Sequence, residues 1–301
     1  MNASPPRVLT QTDFDRFAAL SRDDNPIHCD PAFARATHFG ATVAHGMFLF
    51  SLLCARMARQ QPESVLPVGQ TLMFPLPTFV ADGVEAVLVP QEAHGGNLLG
   101  LETSIRCVER GGRPLREGEQ PVTALGEALL MTEAHAGALA LLPPQAEAGE
   151  AAPSGDAALY HLRPGQQAEA RRAFSTADID EYVSLTGDAS PFHADPAFAR
   201  RRGFDGAIVP LPLLAGMFSD LLGTRLPGRG TGWMKQWLRL CSAARLGEPL
   251  TASVRIVRLR ADKDLVNLAS LVTGSDGRVV VQGESLVLVR NLEDKGEARA
   301  A

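Results

Sequence analysis

Asp23-Asp24-Asn25-Pro26-Ile27-His28, then Asp30-Pro31-Ala32-Phe33-Ala34-Arg35, then Ala44-His45-Gly46-Met47 form the stretch around which the chain is organised. The middle segment decides the architecture, because Asp-Pro-Ala-Phe-Ala-Arg returns letter for letter at 195–200, an offset of 165 (195 − 30). The same offset carries Asp13 to Asp178, Asp15 to Asp180, Leu20 to Leu185, Asp23 to Asp188, Pro26 to Pro191 and His28 to His193, with no gap. Self-similarity over such a span marks a duplicated domain.

Each copy reads alike. Thr10 to Leu20 and Ser175 to Leu185 open with Ser or Thr and early acids, then place apolar residues at helical spacing. The hexad ends that helix, a short helix carries Phe-Ala-Arg, and a long apolar helix follows near 45–58 and again near 211–223. Val-, Leu- and Thr-rich runs then predict strands at 70–79, 82–92, 97–108 and 121–132, and at 232–242, 250–260, 264–273 and 277–290. A long helix followed by antiparallel strands predicts an α+β fold. We expect the first domain over 1–133, a linker over 134–165, the second domain over 166–291 and a frayed tail over 292–301.

The chemistry concentrates in the first copy. Pro26 presets a turn between Asp23 and His28, so an acid and a base converge from one rigid loop, as a site that polarises water requires. Gly46 opens the apolar helix, where unpaired amides face an oxyanion and a missing Cβ admits a ligand. Asn25 and His45 read as supporting residues. In the second copy Asp188 and His193 persist, but Ser190, Pro210 and Leu211 replace Asn25, His45 and Gly46. Proline removes an amide donor and leucine adds bulk there, so Asp188/His193 is either a relic or an altered second site.

A formal charge of −5 with mixed signs gives no reason to expect a nucleic-acid partner, and 45% hydrophobic with 21% charged residues argues against global disorder. The four cysteines show no paired spacing, no apolar run approaches the length of a membrane span, and the N-terminus has no signal pattern; a cytoplasmic location is expected. No H-x-x-H set, phosphate-binding loop or dinucleotide fingerprint occurs, so no metal and no nucleotide cofactor is expected. Gly228-Arg-Gly-Thr-Gly232 reads as a turn into a strand.

D-x-N-P-x-H, D-P-x-F-A and a-H-G-m, in this order and spacing, resemble the MaoC-like (R)-specific enoyl-CoA hydratases. The resemblance implies a double hotdog, with two tandem sheets each wrapped around a long helix and paired as an internal pseudo-dimer; a further homodimer stays open. It also implies hydration of trans-2-enoyl thioesters of CoA or acyl-carrier protein, or the reverse dehydration, without cofactor. Asp23 and His28 would hold the water and Gly46 the thioester carbonyl. A non-catalytic thioester-binding or partner subunit, and an acyl-CoA thioesterase, are the alternatives.

Overall fold

The computed structural model describes residues 6–60, 65–91, 97–115, 119–142 and 154–295. The first copy runs β1 (Arg7–Val8), α1 (Gln11–Ser21), α2 (Pro26–Cys29), α3 (Pro31–Ala36), α4 (Gly46–Gln60), β2 (Leu66–Met73), β3 (Gly83–Pro90), β4 (Leu98–Arg110), β5 (Arg113–Pro114) and β6 (Val122–Met131). Then come α5 (Ala136–Ala140) and β7 (Ser154–Gly155). The second copy runs β8 (Gln167–Arg172), α6 (Thr176–Thr186), α7 (Pro191–Ala194), α8 (Pro196–Arg201), α9 (Leu211–Thr224), β9 (Gly232–Leu240), β10 (Leu250–Arg260), β11 (Leu265–Gly274) and β12 (Val279–Leu288).

The local chemistry that starts the helices repeats with the sequence. Thr10 accepts from the Asp13 amide while Asp13 bonds back to the Thr10 amide, and Ser175 and Asp178 do the same at α6. Each reciprocal pair satisfies two amides that the first helical turn leaves without partners. Asp30 and Asp195 cap α3 and α8, each accepting two amides. Pro26 occupies the first turn of α2, where the missing N–H costs nothing, so the hexad is a one-turn helix rather than a loop throughout.

Among the described residues the strands form a single twelve-stranded sheet whose order runs β1-β3-β4-β6-β2-β9-β12-β11-β10-β7, with β5 on β4 and β8 on β10. On either side of the central β2–β9 pair the order is the same read outward, as duplication requires: β2, β6, β4, β3, β1 against β9, β12, β11, β10, β8. β2 and β9 pair antiparallel from Gly69↔Arg239 to Met73↔Lys235, so the seam between copies is itself a hydrogen-bonded ladder. Burial alternates strictly along β11, the period-two signature of a sheet with one covered face. Two helices provide that cover. α4 is buried without a break from Met47 to Ala55 and α9 from Leu211 to Gly223, so each is enclosed on all sides and they pack against one another. Phe48, Phe50 and Phe218 are fully buried, each worth about 1.5–3 kcal/mol on the transfer scale.

The eight strands expected from the pattern appear with their ends moved, most at β2, which lies at Leu66–Met73; the two-residue β1, β5 and β7 and the longer β8 were not anticipated. Its alternation is carried by Ala168, Ala170 and Arg172, none of which reads as a strand former. Arg172 is nevertheless buried, donating to the Leu20 carbonyl at 2.5 Å and to Asp178 at 2.9 Å, which ties the second copy to the end of α1. Of the stretch read as linker, 143–153 lies outside the described residues, and α5 and β7 occupy part of the remainder. Leu292, in the stretch read as tail, is buried, while 296–301 lies outside the described residues. Among the described residues no helix is long and apolar enough to cross a membrane.

Candidate active site

Asp23, Asn25, His28 and Gly46 all line one cavity of about 280 Å³. The walls come from both copies, with Leu49, Phe74 and Thr78 on one side and Ser219, Leu222 and Trp233 on the other. His45 lies behind this wall, fully buried.

Asp23 follows the left-handed residue Arg22 that caps α1, and its carboxylate is turned inward. It accepts Ser219 Oγ at 2.5 Å and the Asn25 amide at 3.2 Å. Burial raises its pKa to about 7, against the pull of these two donors, which favour the ionised form. His28 bonds the Val43 carbonyl through Nδ1 at 2.7 Å. A carbonyl only accepts, so Nδ1 carries the proton and the Nε2 lone pair is left for a ligand. Burial lowers the His28 pKa to about 4, partly opposed by the Val43 bond. A neutral imidazole beside a carboxylate titrating near neutrality is a pair able to exchange protons with water.

His45 stacks on His28 with ring centres 3.8 Å apart and 25° between planes. Its Nε2 donates to the Asp23 carbonyl at 3.0 Å, and burial holds its pKa well below the usual histidine value. It therefore fixes the backbone of Asp23 and the plane of His28 together. The ligand atoms of Asp23, His28 and His45 lie within 4.8 Å of one another. With His28 Nδ1 and His45 Nε2 each bonded to a backbone carbonyl, the ring nitrogens left over are His28 Nε2 and His45 Nδ1.

Gly46 is the first residue of α4, so its amide lacks a partner within the helix. A Cβ there would sit 2.5 Å from the Phe74 ring, so any larger residue requires that ring to shift.

Asn25 holds the hexad to the other copy. Its Nδ2 donates to the Thr231 carbonyl at 3.0 Å and its Oδ1 accepts the Gly230 amide at 3.0 Å. The glycine-rich stretch 228–232 is thus a turn into β9, as its composition suggested, and also a clasp over the hexad. Gly230 is at φ +90° and any Cβ would collide with the Asn291 carbonyl. Asn25→Ala strands one buried amide and one buried carbonyl, so the urea midpoint should fall by the equivalent of about 1–3 kcal/mol. An unchanged midpoint would remove the clasp from the account.

The second copy departs from this arrangement. His193 bonds the Asp188 carbonyl through Nε2 at 2.8 Å, the role His45 performs at Asp23. Pro210 stands where His45 would be and cannot donate, so the ring of His193 takes over the orphaned carbonyl and spends the nitrogen that His28 keeps available. Asp188 in turn accepts the hydroxyl of Tyr182, whose counterpart in the first copy is Phe17. Leu211, 5% exposed, fills the position of Gly46, and the cavity around Asp188 and His193 is only about 30 Å³.

Ser219 and Gly223 were not legible as site residues. They lie one helical turn apart on α9, where a Cβ at 223 would collide with Asp23 Oδ1 and stand 3.0 Å from Asn25 Cβ. The available signal was a polar Ser followed by Gly at i+4 inside an apolar helix, with nothing to say which hexad it faced.

Comparison with known proteins places these features. Residues 1–96 match the family described as "MaoC like domain". An (R)-specific enoyl-CoA hydratase of Aeromonas caviae is 36% identical over 126 residues, covering 42% of this chain and 94% of that protein. A 3-hydroxybutyryl-CoA dehydratase of Methylorubrum extorquens is 32% identical over 124 residues, covering 41% of this chain and 78% of that one. Among solved structures, a MaoC-like dehydratase superposes with a TM-score of 0.71 over 96% of each chain at 16% identity. A Mycobacterium tuberculosis protein described as a double hotdog superposes with a TM-score of 0.66 over 96% of each chain at 13% identity. The fold is therefore the double hotdog expected from the motifs.

Proposed function

The chain belongs to the MaoC-like dehydratase family, and from that premise we propose that it adds water to trans-2-enoyl-CoA thioesters, or removes it from 3-hydroxyacyl-CoA, at the first-copy site. The observation that carries the reading is one cavity lined by the Asp23 carboxylate, by neutral His28 with its Nε2 lone pair unspent, and by Gly46 at the start of an enclosed helix. Water held between Asp23 and His28 adds its oxygen to C3 while one proton is delivered to C2, so one O–H bond and the C2–C3 π bond break as a C–O and a C–H bond form. Charge moves toward the thioester oxygen during the addition, and the Gly46 amide is the donor placed to receive it. No metal enters these steps. The substrate is an acyl thioester on CoA or a carrier protein. The same proposal assigns 1–133 to the working half, 134–165 to the connection and 166–291 to the second half.

Loss of the conjugated enoyl-thioester absorbance with crotonyl-CoA and a longer trans-2-enoyl-CoA is the direct test. Release of free CoA in place of hydration would make the protein a thioesterase. Absence of turnover by folded protein on every chain length would make it a binding or partner subunit.

The site's electrostatics give a pH dependence with a definite sign. Asp23 must be ionised to take a proton from water, and its pKa is raised to about 7. Below that value kcat/KM for hydration should fall by about tenfold per pH unit, and above it the profile should level. His28, lowered to about 4, stays neutral across this window and adds no limb of its own. A profile flat down to pH 5 would remove Asp23 as the base.

A further inference from the structure

Two buried polar atoms in the wall of the Asp23/His28 cavity have no hydrogen-bond partner among the described residues: the Thr78 hydroxyl and the Trp233 indole N–H. Buried donors are almost always paired, so an unpaired one calls for a reason. These two come from opposite copies, Thr78 from the connection between β2 and β3 and Trp233 from β9.

Their counterparts in the second copy are apolar. The Ala44 amide donates to the Thr78 carbonyl at 2.8 Å and the Val209 amide to the Ala244 carbonyl at 2.9 Å, which equates Thr78 with Ala244. Gln70 and Gln236 each fold their side-chain amide onto the carbonyl of the next residue at 2.6 Å, which equates the two strands and makes Pro67 the counterpart of Trp233. Pro67 lines the small cavity beside Asp188. The donors are present where the cavity is open and missing where it is closed.

An indole N–H only donates and a threonine hydroxyl can donate, so the fitting group is an acceptor oxygen. No lysine or arginine lines the cavity. A carboxylate or phosphate would find no permanent positive charge among the lining residues, which is costly, whereas a neutral carbonyl needs only the donors. Thr78 lies beside Ala44, two residues before Gly46, and two positions from Leu76, which is 44% exposed at the cavity rim. Thr78 thus connects the exposed Leu76 to the start of the helix that Gly46 opens. We infer that Thr78 and Trp233 bind the amide carbonyls of the pantetheine arm that carries the acyl group, an assignment that rests on the thioester reading above.

The test pairs binding with turnover. Butyryl-CoA, whose acyl chain bears no oxygen beyond the thioester, is titrated calorimetrically into wild type, Thr78→Val and Trp233→Phe. KM is measured on crotonyl-CoA and on the S-ethyl thioester of crotonic acid, which has no amide. Each variant should weaken butyryl-CoA binding and raise KM for crotonyl-CoA by roughly 3- to 10-fold, the loss of one hydrogen bond, with kcat nearly constant and the S-ethyl ester unaffected. Unchanged butyryl-CoA affinity would overturn the assignment, as would an equal loss on the S-ethyl ester, which would mark a structural role. A loss confined to 3-hydroxybutyryl-CoA would also overturn it, because the oxygen would then belong to the acyl group. Butyryl-CoA binding that is weakened in the variants, with no hydration by wild type, would sink the hydratase reading and leave this contact standing.

Discussion

Asp23→Asn should lower the rate of crotonyl-CoA hydration by at least about 1,000-fold, and Asp188→Asn should change it little. The asymmetry follows from what each carboxylate faces. Asp23 opens onto a cavity of about 280 Å³ beside an imidazole whose Nε2 is unspent, whereas Asp188 is closed in by Tyr182 and its histidine is engaged by its own backbone. Asparagine keeps the shape and one acceptor oxygen at residue 23 but cannot take a proton, so the effect falls on kcat. His28→Ala should behave like Asp23→Asn, and His193→Ala like Asp188→Asn. If the rate instead collapsed in Asp188→Asn and survived in Asp23→Asn, the chemistry would belong to the second copy and the assignment of halves would be reversed.

Gly223→Ala should cost about 100-fold in kcat/KM although residue 223 performs no chemistry, because displacing a catalytic group by about 1 Å is enough for such a loss. The added methyl has nowhere to go except into Asp23 Oδ1 and Asn25 Cβ, so it displaces the carboxylate from Ser219 and slackens the clasp onto Thr231. Gly216→Ala is the matched control. On the same helix its Cβ would meet Ser21 Cβ at 3.4 Å, an ordinary contact, and alanine favours the helix by up to about 1 kcal/mol. Equal activity in the two variants would mean that the close approach of α9 does not hold Asp23 in place. Thermal unfolding of both separates a misplaced carboxylate from a lost fold.

The duplication, the two enclosed helices and most strands could be read from the chain because local rules agree there: capping boxes, a letter-for-letter repeat and alternating apolar runs. Asp23, His28 and Gly46 could be singled out because they lie within one short stretch. What escaped has a common physical cause. Ser219, Gly223, Thr231 and Trp233 reach the cavity from about 200 positions away along the chain, through a seam that no local period encodes. The rotation of His193 was hidden for a different reason. It depends on which donor satisfies one carbonyl, and a proline at 210 decides that only once the loop is folded. β8 escaped because a buried arginine stands where a strand pattern would show an apolar residue.

The β2–β9 ladder has a consequence for how such a molecule is free to change. When two identical subunits meet across a symmetric seam, every substitution is made twice, so a proline that shuts one site shuts both. Here the partners are written in one chain and can drift apart: Pro210 and Leu211 close one chamber while α9 of that same half supplies Ser219 and a vacant Gly223 to the other. The half with the small cavity thus forms part of the wall of the large one, and each half can be shaped by substitutions that leave the other untouched.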